Sequence, residues 1–327
     1  MSISQISTSQ ATTDADVVAG DSASLSNLPQ GSVAQATVPH VNAHHSPVDT
    51  QASEAQAAGS KFQPRTYLMC SPDHFTVEYT INPWMDTTQP VDTDLAKRQW
   101  TNLVEAVQAA GHTVHLLQPE PNLPDMVFAA NGSLVVDGVA YGAKFRYPQR
   151  QLEAAAHEKW FRSHGWPYVA AEETNEGEGD FTYVEGPGLI LAGWGFRTDG
   201  RAHAEAADAL GRPVVSLRLA DPRFYHLDTV LAVLDDHNIT YYPGAFTPGS
   251  QRLLERLFPD AVIADEVDAE AFGLNLVSDG HNVFINTEAA GMAKKMAAAG
   301  FNPVSVDLSE LKKSGGSVKC CISELRS

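Results

Sequence analysis

The chain has 327 residues, 43% of them hydrophobic and 19% charged, an ordinary globular composition that excludes a fibre or a coiled coil. Its 22 Lys and Arg against 40 Asp and Glu give a net charge of −18, which argues against nucleic acid and anionic membrane as main partners and tolerates a small cation. Three cysteines, Cys70, Cys320 and Cys321, are too few for a disulfide framework, and no apolar run approaches the roughly eighteen residues of a membrane span. A reducing, cytoplasmic home is expected, because the N-terminus lacks a basic region followed by an apolar stretch.

Residues 1–60 contain no Lys, Arg or aromatic residue and are rich in Ser, Ala, Thr and Gln. Such a segment buries too little apolar surface to offset its ordering entropy, so a disordered extension is expected there. Residues 61–327 are then expected to form a single catalytic domain. Arg65 to Cys70 reads as a strand. Asp94 to Ala110 reads as a helix, with Ala96, Trp100, Leu103, Val104 and Val107 on one face and Gly111 as its stop. Thr113 to Leu117 reads as a second strand.

A pattern then recurs. Strands at Met126 to Ala129 and at Leu134 to Tyr141, the latter turning at Asp137-Gly138, precede a helix from Gln149 to Ser163 and a strand at Trp166 to Ala170. Hairpin, helix and strand recur at Phe181 to Ala192, Ala202 to Leu210 and Val214 to Leu219. They recur at Thr229 to Tyr242, Gln251 to Leu257 and Ala261 to Ala264, and again at Asn275 to Ile285, Glu288 to Ala299 and Val304 to Val306. A unit of about fifty residues suggests a closed cyclic array. Pairing the first strand with a last one near Val318 to Leu325 makes five units. The alternative is a non-repeating α/β or α+β domain. No GxGxxG follows an early strand and no Walker lysine is present, so a nucleotide-binding fold is not indicated.

Polar residues gather at one phase of this repeat. They are Asn131, the segment Glu176-Gly177-Glu178-Gly179-Asp180, His226 and Asp228, Asn275, and the Gly315-Gly316 to Cys320-Cys321 stretch. In a cyclic array equal phase means equal radius, so these groups converge. A Cys, a His and acids together suggest covalent catalysis by a thiolate. Each also has a plainer reading: a buried cysteine, a capping histidine, a solvated acidic turn. Cys70 is read as core. Cys70 and His74 have ligand-like spacing, but adjacent cysteines chelate a tetrahedral zinc poorly and no Cys-x₂-Cys pair exists, so no metal is expected.

Taken in order, Met69 to Met85, Pro124 to Asn131, Glu176 to Asp180, Asp221 to Thr229 and Gly315-Gly316 to Cys320 make the chain resemble the guanidine-modifying (pentein) superfamily from about Tyr67 to Leu325. The resemblance implies a five-bladed α/β propeller with no cofactor. It places the nucleophile at Cys320, next to Cys321, the general acid–base at His226 and its supporting acid at Glu176. It places substrate-binding acids at Asp180 and Asp228. Relatives that deiminate arginine carry an Asp where this chain has Asn131. An Asn there, with the Ile81-Asn82-Pro83-Trp84-Met85 stretch, is similar to arginine dihydrolases, which convert arginine to ornithine, ammonia and carbon dioxide. No ornithine-cyclising domain follows, so a stand-alone form is expected. Arg146, Arg150 and Arg197 are candidates for a substrate carboxylate, with Arg197 in Gly193-Trp194-Gly195-Phe196-Arg197-Thr198 the leading one, and Asn82 and Asn275 are candidates for its amino group or guanidine. The implied partner is a small cationic guanidine. A methylarginine hydrolase, an arginine deiminase and an amidinotransferase stay open as alternatives, as does a homo-oligomer.

Overall fold

The first described strand, β1 (Thr66–Cys70), is buried over its last four residues and lies between partners on both sides. Helix α1 (Thr93–Ala109) follows a 22-residue irregular segment and starts where Asp92 caps it, its carboxylate accepting from Leu95 N at 2.9 Å. Its inner face carries Ala96, Trp100, Leu103 and Val107, and also Gln99. The amide of Gln99 is satisfied inside by Asp307 and Ser309, each at 2.8 Å. Strand β2 (Thr113–Leu117) then runs parallel to β1. The computed structural model describes residues 62–327; the expected extension over residues 1–60 lies outside the described residues.

Next come β3 (Ser133–Val136), β4 (Val139–Gly142), α2 (Glu153–Ser163) and β5 (Tyr168–Val169). Asp137 and Gly138 both take positive φ between β3 and β4, the two-residue turn that matches strand twist. The next unit holds β6 (Phe181–Val184), β7 (Leu189–Trp194), α3 (Ala202–Leu210) and β8 (Val214–Arg218). It is followed by β9 (Leu231–Val233), β10 (Ile239–Tyr241), α4 (Pro248–Leu257) and β11 (Val262–Ile263). A short helix, α5 (Glu266–Glu270), closed by a reciprocal Asp265/Asp268 cap, leads to β12 (Val277–Ser278), β13 (Asn282–Asn286), α6 (Ala290–Ala298) and β14 (Asn302–Val306). Helix α7 (Ser309–Lys312) and strand β15 (Ser323–Glu324) end the chain.

Among the described residues these strands form five three-stranded sheets, ordered β15-β1-β2, β3-β4-β5, β6-β7-β8, β9-β10-β11 and β12-β13-β14. Each pairs its first two strands antiparallel and its last two parallel. The chain is therefore α/β and built from five equivalent units, the first completed by the C-terminal strand. The first strands of successive units, β15, β3, β6, β9 and β12, touch in that sequence. Helices α1, α2 and α3 each pack on the third strand of their own unit and on a strand of the preceding one, which seals the seam between units.

Several boundaries differ from the sequence expectation, and three of them bear on the residues singled out above. Met126 to Ala129 is not a strand; Pro124–Val127 and Ala129–Gly132 are 3₁₀ turns. Pro124 fixes the first turn, and the ladder begins only at Ser133. The helix expected from Gln149 starts at Glu153, because the backbone before it closes i to i+3 turns, Arg150 N to the Tyr147 carbonyl and Glu153 N to the Arg150 carbonyl, each at 3.0 Å. The closing strand is confined to Ser323–Glu324, since residues 318–321 form the turn that carries Cys320.

Candidate active site

A turn before the first strand of each unit carries the polar residues. Asn131 lies in the turn before β3, and Glu176 and Asp180 flank the turn Gly177–Gly179 before β6. His226 and Asp228 belong to the turn before β9, Asn275 to the one before β12 and Cys320 to the one before β15. Glu176, Asp180 and Asn275 are fully buried, and Asn131, His226, Asp228 and Cys320 are at most 4% exposed.

Cys320, Asp228 and Asn275 form one cluster. The Cys320 thiol donates to Asp228 Oδ2 at 3.2 Å, and Asn275 Nδ2 donates to Cys320 Sγ at 3.1 Å and to the Asp228 carbonyl at 3.1 Å. Asn275 Oδ1 accepts from Cys320 N at 3.2 Å. Asp228 Oδ1 is buried and unpartnered among the described residues. Burial pushes the Asp228 carboxyl up to about 7. Burial and the Asp228 charge push the Cys320 thiol well above its usual range. Sulfur and carboxylate therefore hold a proton between them in the free protein.

His226, Glu176 and Arg197 form a second cluster. Glu176 Oε2 lies 2.8 Å from His226 Nε2 and accepts from Arg197 Nη1 at 2.7 Å. Burial alone raises the Glu176 pKa, but Arg197 and His226 outweigh it and hold the carboxyl well below the usual range. Arg197 also donates to the Ile81 carbonyl at 3.0 Å and lies between the Tyr147 and Tyr225 rings, 4.7 Å from each. Arg146 N donates to Glu176 Oε1 at 3.3 Å, and Arg146 Nε to the Arg197 carbonyl at 2.9 Å. The terminal nitrogens of Arg146, an exposed residue, have no bond among the described residues.

Asn131 forms a third contact set. Its Oδ1 accepts from Arg150 Nη1 at 2.8 Å, and its Nδ2 is buried without a partner among the described residues. Gly179 allows this approach: a Cβ there would stand 2.4 Å from Asn131 Nδ2 and 3.1 Å from the His226 ring. The two side chains thus meet over one backbone position.

Asp180 and Asn82 act differently from ligands poised in a cleft. Asp180 accepts from Leu227 N and Thr198 N, each at 3.1 Å, tying the segment after His226 to the one after Arg197. Asn82 accepts from Trp84 N at 2.9 Å and donates to the Ser314 carbonyl at 3.0 Å. It anchors the irregular segment of residues 71–92 over the loop that leads to Cys320.

Sequence reasoning assigned nothing to Asp125, Tyr225 or Ser314. Asp125 accepts from Ser314 Oγ at 2.9 Å and Tyr79 OH at 2.8 Å, so it joins the same two loops from below. Tyr225 OH donates to the Gly315 carbonyl at 2.7 Å. The signal available for Asp125 was a single acid inside an otherwise apolar run. Cys321 is fully buried, packed in an apolar cluster and raised by burial, with Cys70 nearby. Among the described residues no group of three His, Cys, Asp or Glu side chains could hold a metal ion, and no helix is long and apolar enough to cross a membrane.

Five repeated units around a buried thiol, a histidine–carboxylate pair and further acids define a guanidine-modifying hydrolase of the pentein type. The chain belongs to the family described as N,N dimethylarginine dimethylhydrolase, eukaryotic, which matches residues 71–327. It is 53% identical over 261 residues to the N(G),N(G)-dimethylarginine dimethylaminohydrolase of Mycobacterium tuberculosis, covering 80% of this chain and 86% of that one. It is 36% identical over 258 residues to the bifunctional arginine dihydrolase/ornithine cyclodeaminase ArgZ of Synechocystis sp., covering 77% of this chain and 36% of the relative. The crystal structure of the N-terminal domain of ArgZ, an arginine dihydrolase, bound to substrate superposes with a TM-score of 0.77 at 34% identity, over 80% of this chain and 98% of that one. The fold is thus the five-fold propeller-like arrangement of these proteins. The chain is a hydrolase of C–N bonds in guanidino groups of arginine derivatives.

Proposed function

We propose that the protein is an arginine dihydrolase, converting arginine and two waters to ornithine, carbon dioxide and two ammonia. The observation that carries this reading is Asn131, an amide with a free Nδ2 beside His226. In the first cycle the guanidinium binds Asp228 through charge-assisted hydrogen bonds, and the thiol proton of Cys320 passes to His226. Asn275 steadies the resulting thiolate, which attacks the guanidinium carbon. His226, charge-balanced by Glu176, protonates the departing ammonia and then takes a proton from the water that cleaves the thiouronium. The product is a ureido group.

The second cycle acts on that neutral ureido group. Its carbonyl is an acceptor, which a carboxylate repels and an amide N–H bonds. Attack and loss of the second ammonia leave a thiocarbamate; water releases the carbamate of ornithine, which loses carbon dioxide. Arg146, whose terminal nitrogens have no bond among the described residues, replaces Arg197 as the leading candidate for the substrate carboxylate, since Arg197 and Arg150 are already bonded. We assign Asp180 and Asn82 to holding loops and Asn275 to the reacting end.

A second reading, one hydrolysis of dimethylarginine, is favoured by the name of the 53% identical relative. The polar groups bonded to Cys320 and His226 serve either reaction, and Cys320 also belongs to the apolar cluster that holds Phe75 and Phe128. The protein is to be incubated separately with arginine, dimethylarginine and citrulline, and ornithine, citrulline, dimethylamine and ammonia quantified. Two ammonia per ornithine from arginine is the expected result. Dimethylamine and citrulline from dimethylarginine, with no ornithine from any substrate, replaces it with the second reading.

Asp228 also sets a pH dependence. Burial raises its carboxyl to about 7, so on the acid side it carries a proton of its own and cannot pair with a guanidinium, and above that it is the carboxylate that accepts from Cys320. The arginine kcat/KM should therefore climb from pH 5.5 and level off above neutrality. A flat profile between pH 6 and 8 contradicts the pairing.

A further inference from the structure

We propose that Arg150 is a specificity-determining positioning residue, which locks the Asn131 amide with only its N–H face toward the reacting carbon. The inference rests on the dihydrolase reading and names what makes Asn131 selective. A guanidinium offers donors and no acceptor, so the 2.8 Å contact from Arg150 Nη1 decides which amide atom faces it: the oxygen. The amide nitrogen is left facing Gly179 and His226.

Arg150 is itself fixed. Its Nε and Nη2 form a fork on Glu153 at 2.9 and 2.7 Å, and Nη2 also reaches the Asp125 carbonyl at 3.1 Å. Its guanidinium lies 4.8 Å over the Phe145 ring, and the residue is 4% exposed. Turning the Asn131 amide over would set N–H against N–H in a buried place.

A donor-only amide has a chemical consequence. It cannot bond a guanidinium, which has no acceptor, so recognition of arginine falls to Asp228. It can bond a ureido oxygen. When Cys320 sulfur bonds the ureido carbon, the C=O π pair moves onto that oxygen, and an N–H already aimed there stabilises the charge. Collapse restores C=O as the C–N bond breaks and ammonia leaves with the proton from His226. Arg150 therefore acts on the second cycle, through Asn131.

The test compares kcat/KM on citrulline and on arginine in Arg150→Lys. It repeats the comparison in the double variant Arg150→Met/Glu153→Leu, which removes both members of the buried ion pair and leaves no lone charge. The citrulline value is expected to fall on the order of 10-fold or more beyond any fall for arginine, and citrulline should accumulate from arginine. Equal falls on the two substrates overturn the proposal, because they mean that Arg150 serves the α-carboxylate common to both. Affinities of citrulline and arginine for the Cys320→Ser protein, with and without the Arg150 change, supply an arm without turnover. If the wild-type protein makes no ornithine, the dihydrolase reading fails. The Arg150 proposal is then decided by whether citrulline affinity alone weakens.

Discussion

Cys320→Ser should abolish turnover of arginine, by on the order of 10⁴-fold or more, while Cys321→Ser keeps it within a few-fold of wild type. The two sulfurs are neighbours in sequence but not in chemistry. Cys320 Sγ touches Asp228 and Asn275, the groups able to bind a substrate cation and to steady the thiolate. Both cysteines belong to the same apolar cluster, but among the described residues the Cys321 sulfur has no hydrogen-bond partner. Serine in its place buries a hydroxyl, at a cost of about 1–3 kcal/mol in stability, without reaching the reacting carbon. Steady-state ammonia release, beside thermal melts of both variants, separates the two effects. An active Cys320→Ser protein with an inactive Cys321→Ser protein moves the nucleophile by one residue and removes the roles given to Asp228 and Asn275.

The repeat was legible because its parts are local. Asp137-Gly138 between apolar runs marks a hairpin, and the Ala96, Trp100, Leu103, Val107 spacing marks a helix, without knowledge of anything distant. The convergence of Asn131, Glu176, His226, Asp228, Asn275 and Cys320 followed from their common phase in that repeat. What stayed hidden depends on contacts across the fold. Met126 to Ala129 reads as a strand because it is apolar, yet it has no ladder partner and its backbone turns around Asp125. Arg150 read from sequence as a candidate for the substrate carboxylate, and only the fold before α2 makes it, with Glu153, a buried clamp on Asn131. Asp125 gains its place through Ser314, 189 residues away in sequence. Asn131 itself drew notice as a departure from a family pattern, but which of its amide atoms is free is decided by Arg150.

That departure carries the second large effect. Asn131→Asp is expected to stop the reaction at citrulline: one ammonia per arginine, with ornithine output down on the order of 100-fold or more. The substitution is isosteric, and Arg150 still has an oxygen to bond at the same 2.8 Å position, so the fold and the hold on the side chain are kept. What changes is the inward-facing atom. An N–H becomes a carboxylate oxygen, with its charge shared between Arg150 on one side and the reacting group on the other. For arginine the change is tolerated or helpful, since a second carboxylate joins Asp228 around a cation. For citrulline it places oxygen against oxygen, and the repulsion grows as attack by Cys320 builds charge on the ureido oxygen. The two cycles therefore respond in opposite directions to one atom. Separate time courses of citrulline and ornithine from arginine, with citrulline also supplied directly, read both. Ornithine formed by Asn131→Asp at the wild-type rate defeats the electrostatic account of the second cycle. An equal loss of both cycles assigns Asn131 to general architecture. A protein that accumulates citrulline makes the amide at residue 131 the feature that turns a one-step guanidine hydrolase into a two-step one.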